Sequence, residues 1–346
     1  MQEIELKFQI PADALDAVRV AVAALPGGEA PPQVLQAAYF DTPDRKLARA
    51  RAALRVRRED DERVQTLKAA GVNALTRLED NRTVSPAADG QAPWPDLALH
   101  EGEARAALMR DLAWNPDTDP QGAQTGLQAL YRTDIRRRRA RVPVTAAGQT
   151  LGTVELALDE GWIEAGTLRR PVCELEIELV DGEPAAVLAA ARDWVTAHGL
   201  WLDAQTKAHR GDQLAREAAS GTPSPVPPVR RRTPAPRPGT PATPDARRVA
   251  ALNAALEQVG LNLSEVAADE TSDVRAWVRA AAVGLRRLQW LALPDDLTGE
   301  VTALYHALRP APRQLASGNE AVTLARSTDT TLLQLDLLAR LLQQVA

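Results

Sequence analysis

Residues 174–179 read Glu174-Leu175-Glu176-Ile177-Glu178-Leu179, and this strict alternation decides the fold. Side chains two apart in a strand share a face, so the apolar side chains take one side and the three carboxylates the other. At a rise of about 3.3 Å per residue, carboxylates on one face stand only about 7 Å apart. The pattern recurs in Glu3-Ile4-Glu5-Leu6-Lys7-Phe8, in Leu54-Arg55-Val56-Arg57 and in Val154-Glu155-Leu156-Ala157-Leu158-Asp159. Residues 12–25 and 184–198 instead show the i, i+3, i+4 apolar spacing of helices. An α+β domain with a mostly antiparallel sheet is expected.

Charged strand faces have two explanations. A solvated outer face screens the repulsion. A metal site uses it, because hard cations such as Mg²⁺ and Mn²⁺ take clustered carboxylate oxygens. The chain also carries Arg55 and Arg57 on one strand face, and Lys68, Arg77 and Arg137 elsewhere. Guanidiniums hold phosphate oxygens bidentately, so carboxylates beside guanidiniums suit a phosphate chain bridged by metal. Lysine is scarce: of 41 basic residues only Lys7, Lys46, Lys68 and Lys207 are lysines. A lysine retained against that preference invites a functional reading.

The remaining composition narrows the class. The 346 residues suggest two domains. A net charge of −5 does not suggest a general nucleic-acid binder. The single cysteine, Cys173, excludes an intrachain disulfide framework, and a reducing cytoplasm is the expected location. The N-terminus begins with a charged alternating segment, so no signal peptide is expected, and no apolar run is long enough for a membrane span. The four histidines, His100, His198, His209 and His306, are scattered and read as surface or packing residues.

Residues 220–244 hold nine prolines and Arg230-Arg231-Arg232, the composition of an extended, semi-rigid linker. It divides the chain into residues 1–219 and 245–346. Such a linker is expected to transmit few contacts, which would let 1–219 fold alone. Beyond it, residues 246–259, 274–292, 297–308 and 331–345 read as amphipathic helices of a small all-α bundle.

Taken in order, these segments resemble the CYTH domains, the triphosphate tunnel metalloenzymes. Glu3-Ile4-Glu5-Leu6-Lys7 resembles their ExExK signature. Tyr39-Phe40-Asp41-Thr42-Pro43 with Leu54–Arg57, Gln65–Gly71, Arg77-Leu78-Glu79, Thr133–Arg137, Val154–Gly161 and Glu174–Glu178 resemble the following blocks. Thr206-Lys207-Ala208-His209-Arg210-Gly211 resembles the family's Ser-Lys-Ala-x-Arg-Gly close. Arg51 stands where Gly is frequent and Asp212 where Tyr is common, and the run Arg136–Arg139 leaves the register of the binding arginine open.

The resemblance implies an eight-stranded antiparallel β-barrel tunnel whose charged faces point inward. It implies metal-dependent hydrolysis of a linear triphosphate, inorganic triphosphate foremost, with Mg²⁺ or Mn²⁺. It assigns Glu3, Glu5, Asp159, Glu176 and Glu178 to the metal. It assigns Lys7, Arg55, Arg57, Lys68, Arg77 and Arg137 to substrate, and catalysis to Glu5, Lys7, Glu176 and Glu178. Glu155 and Glu174 are either ligands or orienting groups. Residues 278–288 resemble, with substitutions, a motif of the helical CHAD domains that follow CYTH domains in bacteria and are linked to polyphosphate. The tail therefore reads as a reduced CHAD-like remnant. The competing functions are an adenylate cyclase or a thiamine or nucleoside triphosphatase of the same fold, and a non-catalytic polyphosphate-binding module. No membrane and no specific nucleic-acid partner is expected.

Overall fold

The computed structural model describes residues 2–59, 62–70, 76–84, 94–146, 148–223, 227–233, 243–269, 274–291, 293–310 and 314–345. The elements run in the order β1 (Gln2–Gln9), α1 (Leu15–Ala23), β2 (Gln33–Asp41), α2 (Lys46–Arg49), β3 (Ala52–Glu59), β4 (Glu62–Ala70), β5 (Thr76–Thr83), α3 (Gly102–Leu112), β6 (Gln128–Ala146), β7 (Gln149–Ala165), β8 (Leu168–Gly182), α4 (Ala185–His198), β9 (Trp201–Leu202) and α5 (Lys207–Ser220). Five helices follow: α6 (Pro244–Ala268), α7 (Arg275–Leu288), α8 (Asp295–Leu308), α9 (Gly318–Arg326) and α10 (Thr328–Val345).

The strands pair in the order β5-β4-β3-β2-β6-β7-β8-β1. Residues 2–4 of β1 then pair antiparallel with β5, closing the sheet into the expected eight-stranded antiparallel barrel. The two-residue β9 adds to the far end of β1. Alternation fixes the two faces. Leu6, Phe8, Leu156, Leu158, Leu175 and Ile177 are buried on the outside of the barrel, where α1 and α4 cover them, while the intervening charges line the inside.

The helical tail does not stand apart. One buried cluster runs from those barrel residues through Ala190, Ala191 and Val195 of α4 to Leu252, Val259 and Leu263 of α6 and Leu337 and Leu341 of α10. The described part of the proline-rich segment also makes contacts, against the expectation of a bare spacer. Val229 N–H donates to Asn262 Oδ1 at 3.0 Å, Arg231 N–H to Gln258 Oε1 at 3.0 Å, and the Arg231 guanidinium to Glu257 at 2.9 Å. Proline removes donors from a segment, but the remaining N–H groups still need acceptors, and α6 supplies them. Four helices were expected in the tail and five form. The extra one, α9, carries only a short buried stripe of Ala321, Val322 and Ala325 behind a Ser317–Glu320 capping box. No helix among the described residues is long and apolar enough to cross a membrane.

Candidate active site

Residues directly opposite each other in an antiparallel ladder share a face. Register therefore places Glu5 beside Glu178, Lys7 beside Glu176, Glu155 beside Glu178 and Arg137 beside Asp159. Across the barrel, Arg55 lies beside Tyr39 and Thr66, and Lys68 beside Glu79. These side chains line one cavity of about 990 Å³ that runs through the barrel. Of the sequence-predicted residues, Glu3, Glu5, Lys7, Arg55, Arg57, Lys68, Arg137, Asp159, Glu176 and Glu178 all line it. Arg77 pairs with Glu3 through its backbone, and its side chain lies outside the described residues. The arginine register also resolves. Arg137 and Arg139 line the cavity, whereas Arg138 turns away and donates to the Gly28 and Ala30 carbonyls.

Inside, the carboxylates form two groups. Asp159, Glu174 and Glu176 offer oxygens all within 4.8 Å of one another. This group is richly neutralised. Lys207 Nζ reaches Asp159 at 2.6 Å and Glu176 at 2.8 Å, and also contacts Glu174. Arg137 grips Asp159 through two bonds of 2.6 Å and also donates to Glu176. Arg210 donates to the fully buried Glu174. Burial pushes the Glu174 carboxyl up, but Arg210, Lys207 and Lys7 together bring it down to about 2. Burial is likewise overcome at Glu176, where Lys207 and Arg137 hold the carboxyl well below the usual range. Lys7 Nζ lies 3.3 Å from Asp203 and 3.8 Å from Glu174, and burial lowers its pKa despite them.

The second group gathers around Lys68. Lys68 Nζ serves Glu3 at 2.8 Å, Glu79 at 2.8 Å and Glu5 at 3.9 Å. Burial, then Glu5, pushes the Glu3 carboxyl up to about 9. Glu178 makes no hydrogen bond or ion pair among the described residues, and burial with Glu5 nearby raises its pKa against the pull of Lys68. Glu155 lines the cavity between Arg139 at 3.3 Å and Arg141 at 3.0 Å.

On the opposite wall, Arg55 has no carboxylate partner among the described residues. It reaches only the Tyr39 hydroxyl, at 3.3 Å, and its Nε is buried without a partner. Arg57 bonds Glu59 at 2.7 Å, and burial beside Arg55 lowers its pKa to about 10. The Cys173 thiol does not line the cavity, and burial pushes it up to about 11, which leaves it unsuited to act as a nucleophile.

The sequence reading did not assign Lys207 to the site. The scarcity of lysine and its place in the Thr206–Gly211 motif were the available signals. That motif's glycine has a steric reason: a Cβ on Gly211 would stand 2.1 Å from the Tyr131 ring, so α5 could not approach the barrel. The two departures from the family pattern also find partners. Arg51, at φ 60°, reaches Glu257 on α6 at 3.4 Å. Asp212 pairs with Arg45 at 2.8 Å and Arg216 at 2.9 Å. Of the histidines, His100 is fully buried, with Nδ1 2.7 Å from Asp80 and Nε2 3.0 Å from Gln65, a packing role.

The chain is 28% identical over 174 residues to the inorganic triphosphatase of Haemophilus influenzae, an alignment covering 50% of this chain and 44% of that protein. The match thus spans less than half the length of that relative. Among solved structures, a proposed adenylate cyclase of Bacillus halodurans is 21% identical, covers 56% of this chain and 88% of its own, and has a TM-score of 0.37. A proposed adenylyl cyclase of Hippeastrum, described as having a dominant triphosphatase activity, is 19% identical and covers 64% of this chain and 98% of its own, with a TM-score of 0.38. The CYTH domain model matches residues 1–211, well over half of the chain, and the protein therefore belongs to the CYTH domain family.

Proposed function

We propose that residues 1–219 hydrolyse the terminal phosphate of a linear triphosphate, inorganic triphosphate first, with Mg²⁺ or Mn²⁺. One observation carries the reading: Arg55, a guanidinium without a carboxylate partner among the described residues, shares a cavity with the clustered carboxylates Glu3, Glu5 and Glu178. One wall suits an anion and the other a metal.

The donors fit a hard divalent ion. Glu3, Glu5 and Glu178 present only carboxylate oxygens, with no histidine or cysteine among them, and Glu178 makes no hydrogen bond or ion pair among the described residues. Such an ion, when bound, neutralises phosphate charge and acidifies a water. The chain's own residues do the rest. Arg55 and Arg57 hold phosphate oxygens in bidentate fashion and fix the chain along the tunnel. Lys68, freed of its carboxylates by competing positive charge, turns to the phosphates. Arg137 and Lys207 stay anchored by Asp159, Glu174 and Glu176 and present fixed positive charge to the transition state. In this reading Asp159 and Glu176 orient cations first, because Lys207 already fills the space among the three oxygens. Lys7, between Asp203 and Glu174, adds a buried positive charge at the same end.

Tyr39 and Tyr131 also line the cavity and raise the alternative of a nucleoside or thiamine substrate. Their rings stack on each other at 4.7 Å, and Tyr131 abuts Gly211, which supports a structural use over a base platform. The CHAD-like reading of the tail gains little support from Arg287, whose Nη1 donates to the Arg231 carbonyl and so ties down the linker. A phosphate-release screen over tripolyphosphate, pyrophosphate, ATP and thiamine triphosphate, with Mg²⁺, Mn²⁺ or excess EDTA, tests the proposal. Metal-dependent release, fastest from tripolyphosphate, is expected; no release from tripolyphosphate, or full turnover in chelator, refutes it.

A further inference from the structure

We propose that Ser264, on helix α6 of the C-terminal part, is a positioning residue for the loop that delivers Lys207 into the cavity. The helical tail would then be a working part of the site and no mere appendage; the inference rests on the triphosphatase reading above.

Residues 203–206 join β9 to α5 and have no strand partner to hold them. Their two ends are tied to the barrel and to α5. Asp203 N–H donates to the Lys7 carbonyl at 2.8 Å, and the Asp203 carboxylate accepts from Gln9 at 2.7 Å. Thr206 caps α5 by accepting from His209 N–H at 3.0 Å. Between these ties, the Ala204 N–H finds its acceptor outside the domain, in Ser264 Oγ at 2.9 Å. Ser264 is buried, and its own hydroxyl donates to the Gly260 carbonyl at 2.8 Å, which fixes the direction of the lone pair. One residue on, Glu265 lies 3.5 Å from His209. Helix α6 therefore grips the chain three residues before Lys207 and two residues after it. Leu261 and Glu265 of the same helix reach the wall of the cavity itself.

The contact matters because Lys207 is a long side chain asked to meet three carboxylates at once. That geometry survives only if its backbone is held, since a displacement of about 1 Å in a positioned group can cost on the order of a hundredfold in rate. A half-buried N–H deprived of its acceptor drives the loop to move until it finds another.

The test compares Ser264→Ala, Lys207→Ala and the double variant in the full chain, with tripolyphosphate as substrate. Val266→Ala serves as control, because Val266 is buried in the same helix and does not line the cavity. Ser264→Ala is expected to lose on the order of tenfold in kcat/KM and to show faster hydrogen exchange at the Ala204 amide. In the Lys207→Ala background the same change should cost less than about twofold, since coupled residues are not additive. Val266→Ala should lower the melting temperature while keeping activity. Activity of Ser264→Ala within twofold of wild type, or a loss undiminished in the Lys207→Ala background, overturns the proposal. Absence of any tripolyphosphate hydrolysis in the wild type overturns the triphosphatase reading and the positioning role with it. The Ala204 exchange rate then still reports whether α6 holds the loop.

Discussion

Changing Glu178 and Glu176 to Gln, one at a time, should give opposite stability effects with a shared loss of activity. The two residues sit two apart on one strand face, so sequence alone treats them alike. The structure separates them. Glu176 accepts from Lys207 at 2.8 Å and from Arg137, while Glu178 has no partner among the described residues. Gln keeps the shape and one acceptor oxygen but removes the charge. At position 176 this weakens charge-assisted bonds worth about 1.5–3 kcal/mol. Lys207 and Arg137 retain Asp159, and Lys207 retains Glu174, so we expect the lower half of that range. At roughly 2 °C per kcal/mol for a large domain, metal-free Glu176→Gln should melt about 3–4 °C below wild type. At position 178 the carboxylate is half-buried near Glu5 and Glu155, and its pKa is raised despite the pull of Lys68, so Gln should leave the melt unchanged or raise it. In activity, Glu178→Gln removes a proposed metal ligand and should cut kcat on the order of a hundredfold, about 2.7 kcal/mol of transition-state stabilisation. Glu176→Gln loosens the Lys207–Arg137 frame and should cut kcat by a similar order. Calorimetric melts in EDTA beside phosphate release at saturating Mg²⁺ read both effects. Near-normal turnover of Glu178→Gln, or melts that shift in the same direction, would refute the division of the cavity into a half framed by Lys207 and Arg137 and a metal-binding half.

Other consequences are measurable. Arg55→Ala should raise KM for tripolyphosphate by about tenfold or more with the melt unchanged, since its guanidinium binds no carboxylate among the described residues; an unaltered KM would remove it from the substrate site. His100 is kept neutral by burial: Nδ1–H donates to Asp80, and Nε2 accepts from Gln65, whose amide also serves the Asp96 carbonyl, with Arg82 close by. Its folded pKa lies below its unfolded value of about 6.5, so the unfolded chain binds more protons and stability should fall as pH drops below that value. His100→Gln should flatten this acid slope, and an identical slope in the variant would assign the effect elsewhere. Residues 1–219 alone lose the cover that α6 and α10 give to α4 and the 203–206 loop, so the fragment should melt well below the full chain and hydrolyse tripolyphosphate poorly. A fragment with the full chain's melt and turnover would show that the shared core contributes little.

Much of this protein was legible before folding. Period-2 alternation in residues 3–8, 54–57, 154–159 and 174–179 marked the strands and their charged faces, because side-chain direction in a strand depends only on parity. The scarcity of lysine drew notice to Lys7, Lys46, Lys68 and Lys207; all but Lys46 line the cavity, though only Lys7 and Lys68 were assigned to the site from sequence. The tertiary structure decided what parity cannot. Pairing of β1 with β5 turned four charged faces into one enclosed wall. Closure then chose partners far apart in sequence, joining Lys207 to Asp159 and Glu174, and Lys68 to Glu3 and Glu79, while Glu178 makes no ion pair among the described residues. It also resolved the run Arg136–Arg139, whose four identical side chains hold no signal of which face each takes until β6 pairs with β7. The docking of α6 escaped the sequence for a similar reason. Proline-rich composition forbids helix and sheet within the segment, but it says nothing about acceptors such as Gln258, Asn262 and Ser264 that a neighbouring helix presents once packed.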